Sequence, residues 1–123
     1  MSIKVSIDAS GGDFGFPVTI SAGINALMSF SDLHLNFVGD EKGIKEELEK
    51  KSIHKSFLDR IEITHASEVI NMHDSPSTAL RHKKDSSMRV AINLVQSGIC
   101  DACVSAGNTG ALMSIARFVL KTI

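Results

Sequence analysis

The 123-residue chain contains no tryptophan and no tyrosine, so it lacks the amphipathic rings that usually anchor a protein at a membrane interface. No apolar run approaches the roughly eighteen residues needed to cross a bilayer. Basic residues are not in excess: 13 Lys and Arg stand against 14 Asp and Glu, for a formal net charge of −1. That balance argues against a nucleic-acid partner held by bulk electrostatics. The opening segment, Met1-Ser2-Ile3-Lys4-Val5-Ser6-Ile7-Asp8, alternates like a strand and has no apolar stretch of the kind a secretion signal carries, which makes the cytoplasm the expected compartment. A G-x-x-x-x-G-K-[ST] sequence is missing, so a P-loop is excluded. The two cysteines sit in Cys100-Asp101-Ala102-Cys103 with no second pair to complete a zinc tetrahedron. Residues three apart on a strand also face opposite ways, so both read as small buried hydrophobes. The five histidines show no metal-ligand spacing. Neither a metal nor a cofactor is expected.

What is present is an alternation of strand and helix patterns. Ile3, Val5 and Ile7 share one face of a short strand, and Gly11-Gly12-Asp13-Phe14-Gly15 breaks it. A helix follows from about Pro17 to Phe30, with Ile20, Ile24, Leu27 and Met28 as its apolar stripe. Leu33 to Val38 is a second strand, and Asp40 suits the cap of a charged helix from Glu41 to Lys51. Arg60 to His65 is a third strand. Periodicity fades from Ala66 to Asp85, apart from a short helix over Ser77 to Lys83 started by Ser75-Pro76. Ser86 or Ser87 then caps a helix striped by Met88, Ala91, Ile92 and Val95 and stopped at Gly98. Cys100 to Ser105 is the fourth strand, and the last helix starts at Thr109. Its pattern runs to Ile123 with no Gly, Asn or Pro stop, so it reads as cut rather than capped and the chain as a fragment. The β-α-β-α-β order predicts a parallel sheet with helices on both faces. Asp8 with Gly11-Gly12-Asp13, Asp40, the 66–85 loop and Ser105 to Gly110 would then converge on the carboxyl edge of the strands, where such sheets bind ligands.

The richest segment is Val104-Ser105-Ala106-Gly107-Asn108-Thr109-Gly110-Ala111, where a strand passes through a glycine-spaced turn into a helix. The glycines allow a ligand to approach the backbone, and the first helical turn presents unpaired N–H groups at the positive end of the macrodipole. That is an anion site suited to phosphate. The plainer alternative is a tight connection whose glycines only permit packing. The first turn, Ser10 to Gly15, fits the dinucleotide fingerprint poorly, because Ser10 stands where the first glycine belongs and the helix starts late. Arg81-His82-Lys83-Lys84 with Arg89 is the one basic cluster. It reads either as a solvated surface or as a source of cations for the anion.

Four stretches together resemble the N-terminal part of the bacterial phosphate acyltransferase (PlsX) family of phospholipid synthesis. They are Asp8-Ala9-Ser10-Gly11-Gly12-Asp13, the run from Ser75 to Arg81, the run from Lys83 to Ala91, and the run from Val104 to Met113. Ser10 departs from the family's Asp-x-Met-Gly. The resemblance implies an α/β fold: a three-layer α/β/α sandwich with a mostly parallel sheet, like isocitrate dehydrogenase and phosphate acetyltransferase, here truncated within residues 1–123. It implies transfer of a fatty acyl group from acyl carrier protein to inorganic phosphate, giving acyl phosphate. It further implies a homodimer when full length, peripherally associated with the inner face of the membrane.

On that footing Ser105, Gly107, Asn108 and Thr109, with Gly110, form the phosphate cradle. Arg81 and Lys84 compensate charge, and Asn108, Ser105, Arg81 and Lys84 are the catalytic candidates. Asp8 and Asp13 shape the opposite wall by accepting hydrogen bonds, and Asp8, Gly11, Gly12, Asp13, Ser86 and Ser87 join Gly107, Thr109 and Gly110 as the substrate- or phosphate-binding candidates. The remaining basic residues would dock the acidic carrier protein. No convincing apolar channel for the acyl chain is legible. A nucleotide- or phospholigand-binding module, or a piece inactive by truncation, are the competing readings.

Overall fold

The computed structural model describes residues 2–121. Its elements run β1 (Ile3–Asp8), α1 (Phe16–Ser29), β2 (Leu33–Gly39), α2 (Glu41–Lys50), α3 (Lys55–Leu58), β3 (Ile61–His65), α4 (Pro76–His82), α5 (Ser87–Gln96), β4 (Ala102–Val104) and α6 (Thr109–Leu120). The strands form one sheet in the order β3-β2-β1-β4, with every pairing parallel. This is the expected α/β architecture. The order reverses between β1 and β4, which opens a crevice at their carboxyl ends.

The alternation of side chains along β1 and β2 divides the molecule into layers. Val5, Ile7, Leu35 and Phe37 face α1, α2 and α3 and pack with Ile20, Leu27, Ile44 and Leu48. The opposite face carries Ser6, Val38 and Cys103. Val38 and Cys103 pack with Ala91 of α5, and a second cluster joins Met88 and Ile92 of α5 to Ala79 of α4 and to Ala111 and Ile115 of α6. This face is unusually polar for a sheet interior. Ser6 Oγ donates to the carbonyl of Ala91 at 2.8 Å, and Thr64 Oγ1 to Asn36 Oδ1 at 2.8 Å, so these buried hydroxyls are satisfied.

Helix starts follow the expected caps. Asp40, Ser75 and Ser86 each accept a bond from the backbone three residues on. Gly98 takes φ +82 just after α5, the left-handed turn that ends a helix. Four expectations need correction. Met28 is 65% exposed, not part of the α1 stripe, because the core takes Gly23 and Leu27 instead. The fourth strand spans only Ala102–Val104. Cys100 precedes it, buried, and Cys103 is half-buried, both as free thiols. A single turn, α3, stands where no helix was read. Finally, α6 stops at Leu120 and Lys121 adopts the left-handed conformation, φ 54; the end of the expected helical run, at 122–123, lies outside the described residues.

Candidate functional site

The carboxyl ends of β1 and β4 and the starts of α5 and α6 meet around Asp8, which is 2% exposed. Its carboxyl group is held between two hydroxyls. Ser87 Oγ donates to Oδ1 at 2.5 Å, and Ser105 Oγ donates to Oδ2 at 2.7 Å. Ser105 Oγ in turn accepts from the amide of Gly107 at 3.1 Å. One side chain on β1 thereby fixes the start of α5 and the turn after β4. The two glycine turns also touch. A Cβ on Gly11 would lie 2.7 Å from Asp8 Oδ2 and 3.1 Å from Ser105 Oγ, and one on Gly12, whose φ is +89, would lie 3.3 Å from the Ala106 Cβ. Gly11 is therefore required by close approach, and Gly12 by its conformation.

Asn108 caps α6: its Oδ1 accepts from the amide of Ala111 at 3.1 Å. Its Nδ2 is directed at the 71–74 loop, donating to the carbonyls of Asp74 at 2.8 Å, Asn71 at 3.2 Å and Met72 at 3.3 Å. The loop is held a second time by Lys83, whose Nζ bonds Asp74 Oδ2 at 2.5 Å and the carbonyl of Val69 at 2.9 Å. The Lys83 ammonium and the Asn71 amide pull the Asp74 carboxyl below its ordinary range. The 66–85 loop is expected at this edge, but nothing in the sequence singles out Asn71 and Asp74 within it, because that stretch lacks periodicity and only Ser75-Pro76 signals a helix start.

The proposed cradle thus separates into two groups. Asn108, Ser105 and Ser87 are committed to protein partners, and Ser86 Oγ is occupied in capping α5 through the Arg89 amide at 3.0 Å. Asn108, Ser105 and Ser87 spend their protons on protein acceptors, whereas Ser86 Oγ is used as an acceptor only. Thr109 is exposed at the first turn of α6, where its amide and that of Gly110 have no acceptor inside the helix. Gly110 meets α4 closely, since a Cβ there would lie 3.1 Å from Pro76 Cγ. Gly107 backs onto Met88. Arg81 and Lys84 are exposed, as is Asp13, and no hydrogen bond from any of the three to the Ser105–Gly110 turn is recorded among the described residues. Within the basic cluster, Lys83 is spent on Asp74 and Arg89 lies over the Phe118 ring at 5.6 Å. Among the described residues there is no group of three or more His, Cys, Asp or Glu placed to hold a metal ion. No helix there is long and apolar enough to cross a membrane.

The family model described as "Fatty acid synthesis protein" matches residues 3–123. The chain belongs to the fatty acid synthesis protein family. Among its relatives in that family, the phosphate acyltransferase of Ruthia magnifica subsp. Calyptogena magnifica is 66% identical over 123 residues, covering 100% of this chain and 36% of the relative. That of Methylococcus capsulatus is 56% identical over 119 residues, covering 97% of this chain and 34% of the relative. That of Hydrogenovibrio crunogenus is 50% identical over 123 residues, with 100% and 36% covered. The chain therefore spans about a third of the length of the family members it matches, and the resemblance drawn from the Asp8, Ser75, Lys83 and Val104 stretches is correct.

Proposed function

We propose that the full-length protein transfers a fatty acyl group from acyl carrier protein to inorganic phosphate, releasing acyl phosphate for phospholipid synthesis, and that this chain supplies the phosphate end of the site. The observation that carries the reading is identity of 50–66% over the whole chain to proteins named phosphate acyltransferase. The geometry supports it with a turn at the switch point of a parallel sheet, which is where such folds take anionic ligands.

Phosphate is nucleophilic at neutral pH without a general base, so the protein's task is to position it and to stabilise charge. A phosphate oxygen attacks the thioester carbonyl carbon. The resulting tetrahedral intermediate collapses, the carbon–sulfur bond breaks, and the carrier protein leaves as its thiolate while the acyl–oxygen bond remains. In this scheme the Thr109 hydroxyl and the amides of Thr109 and Gly110 hold phosphate, and Gly107 allows it to approach the backbone. Ser105 and Asn108 act by positioning that turn. Arg81 and Lys84 add positive charge, and Asp13 with Gly11 and Gly12 forms the facing wall. The exposed cations beside α4 receive the carrier protein. Activity belongs to a full-length homodimer at the cytoplasmic side of the membrane.

The test uses full-length protein, acyl carrier protein loaded with a long-chain acyl group, and phosphate, with acyl phosphate trapped as hydroxamate. Thr109→Val is expected to lower kcat/KM for phosphate at least tenfold with little change in KM for the acyl carrier protein. Absence of acyl phosphate from the unsubstituted protein, together with thermal stabilisation by NAD or ATP but not by phosphate, overturns the reading.

A further inference from the structure

Two loops border the Ser105–Gly110 turn, and each holds one large apolar side chain out in solvent. The first, between β1 and α1, reaches the turn through Gly12, where a Cβ would lie 3.3 Å from that of Ala106. Two residues on, Phe14 is 78% exposed. The two aromatic residues of this loop meet opposite fates. Phe16 packs into the core between α1 and α2, in the room left by Gly43, where a Cβ would lie 2.5 Å from the Phe16 ring. Gly15 stands between them at φ +64, a left-handed residue that turns the chain and leaves Phe14 outside. Thr19 Oγ1 closes the base of the loop by donating to the carbonyls of Ala9 at 2.8 Å and Gly15 at 3.3 Å. In the second loop, Met72 is 49% exposed, while its carbonyl is turned inward and accepts from Asn108 Nδ2 at 3.3 Å. The carbonyls of Asn71 and Asp74 accept from the same amide group, and Lys83 holds Val69 and Asp74. The backbone is thus fixed against the start of α6, and the thioether side chain is left in water beside it.

We propose that Phe14 and Met72 are the apolar contacts for the acyl chain of the donor and that they set its preference for long chains. This inference rests on the proposed acyl transfer and names what the polar turn cannot supply. The attacking phosphate oxygen and the thioester carbon must meet at the turn, so the chain attached to that carbon has to leave across a loop that borders it. Its methylenes gain nothing from the hydroxyls and amides of the turn. Contact with a ring and a thioether, by contrast, removes apolar surface from water on both partners. Singly exposed apolar residues are ordinary on a protein surface. What distinguishes these two is that each sits on a loop in contact with the turn, one through Gly12 and Ala106 and the other through Met72 and Asn108. Their chemistry also suits the substrate: the phenyl ring offers a broad apolar face, and the unbranched methionine adapts to a flexible chain.

The test uses the full-length protein with Phe14→Ala, Met72→Ala and the two combined, assayed with palmitoyl and with butyryl acyl carrier protein. Each single variant is expected to lower kcat/KM for the palmitoyl donor about fivefold to tenfold, the loss of one apolar contact, and to change the butyryl value and KM for phosphate less than about twofold. The double variant should fall further with palmitoyl alone, and Phe14→Leu or Met72→Leu should restore most of the long-chain rate. An unchanged ratio of palmitoyl to butyryl rates in folded variants overturns the inference, whether both rates persist or both fall together. Circular dichroism and urea midpoints check folding, and both should match the unsubstituted protein because the side chains are exposed. If an alanine variant fails to fold, Phe14→Asn and Met72→Gln, polar residues suited to loops, read the same ratio. Absence of acyl phosphate from the unsubstituted protein with either donor defeats the proposed reaction itself, and the inference with it.

Discussion

Asn108 Nδ2 lies 2.8 Å from the carbonyl oxygen of Asp74, across 34 residues of sequence, while its Oδ1 caps α6. The side chain therefore ties an irregular loop to the first turn of α6, the helix that carries the proposed anion site, and its two ends can be tested separately. Asn108→Ala removes both functions. A lost cap costs about 0.5–2 kcal/mol and the lost loop bonds about 1 kcal/mol more, for an expected destabilisation of about 1.5–3 kcal/mol in urea unfolding. Asn108→Asp keeps an acceptor for the Ala111 amide but sets an oxygen against three carbonyls. It should retain most of the cap and release the loop, seen as faster hydrogen exchange over residues 71–75. Equal exchange in the parent and Asn108→Asp would show that the side chain does not hold the loop.

The Asp8 carboxyl group, closed off by Gly11, makes a second prediction. Gly11→Ala would place a methyl group 2.7 Å from Asp8 Oδ2, and the neighbour is a buried side chain held by two hydroxyls. Overpacking of this kind costs about 1–3 kcal/mol. Gly15→Ala serves as the contrast, because a Cβ there meets nothing within 4 Å and only its φ of +64 is penalised. Both variants should lower the denaturant midpoint, but only Gly11→Ala should perturb the Ser105 and Gly107 amide resonances. An undisturbed Ser105 resonance would mean that the two turns do not touch.

The Asp74–Lys83 pair gives the loop a pH dependence of defined sign. The Asp74 carboxyl is lowered first by the Lys83 side chain and then by the Asn71 amide. A carboxyl depressed on folding contributes stability that is fully present above its unfolded value, about 3.9, and that is lost as pH falls through the folded value. The 71–75 loop should therefore stay protected at neutral pH and loosen only in acid below the ordinary carboxylate range. Asp74→Asn should loosen it at neutral pH and flatten the acid dependence of its amide exchange. A loop that opens near pH 6 instead would point to a histidine, not to this pair.

Much of this was legible because the residues concerned signal locally. Asp40, Ser75 and Ser86 stand immediately before apolar periodic runs, and each caps the helix expected of it. Ile3, Val5 and Ile7 alternate and form β1. The converging edge was also readable, since the chain order of strands and helices fixes which ends meet. What escaped depends on distance in sequence. Nothing in Asn108 itself says that its amide group will be spent on Asn71, Met72 and Asp74. Nothing in Ser87 or Ser105 says that both hydroxyls will turn toward Asp8, so side chains read as ligands for phosphate prove to be committed to the protein. Val104 lies in the expected fourth strand, yet it is 57% exposed, which no local pattern reports.

The cysteine pair supplies the last prediction. Burial raises both thiols above the ordinary range, and Cys103 is raised further by neighbouring charge at Cys100 and Asp8. The thiolate is the reactive species, so a raised value lowers the reactive fraction at neutral pH while burial also blocks access. Cys100 is buried just before β4, and Cys103 packs against the Val38–Ala91 cluster, an arrangement suited to packing and not to exchange. Alkylation of the folded chain at pH 7 should run at least tenfold more slowly than in denaturant, and zinc should not protect either thiol. Cys103→Ser should cost about 1 kcal/mol or more of stability, because it places a hydroxyl among Val38, Ala91 and Leu94. Fast alkylation at neutral pH, or a zinc-dependent rise in Tm, would instead make the Cys100–Cys103 spacing a reactive site.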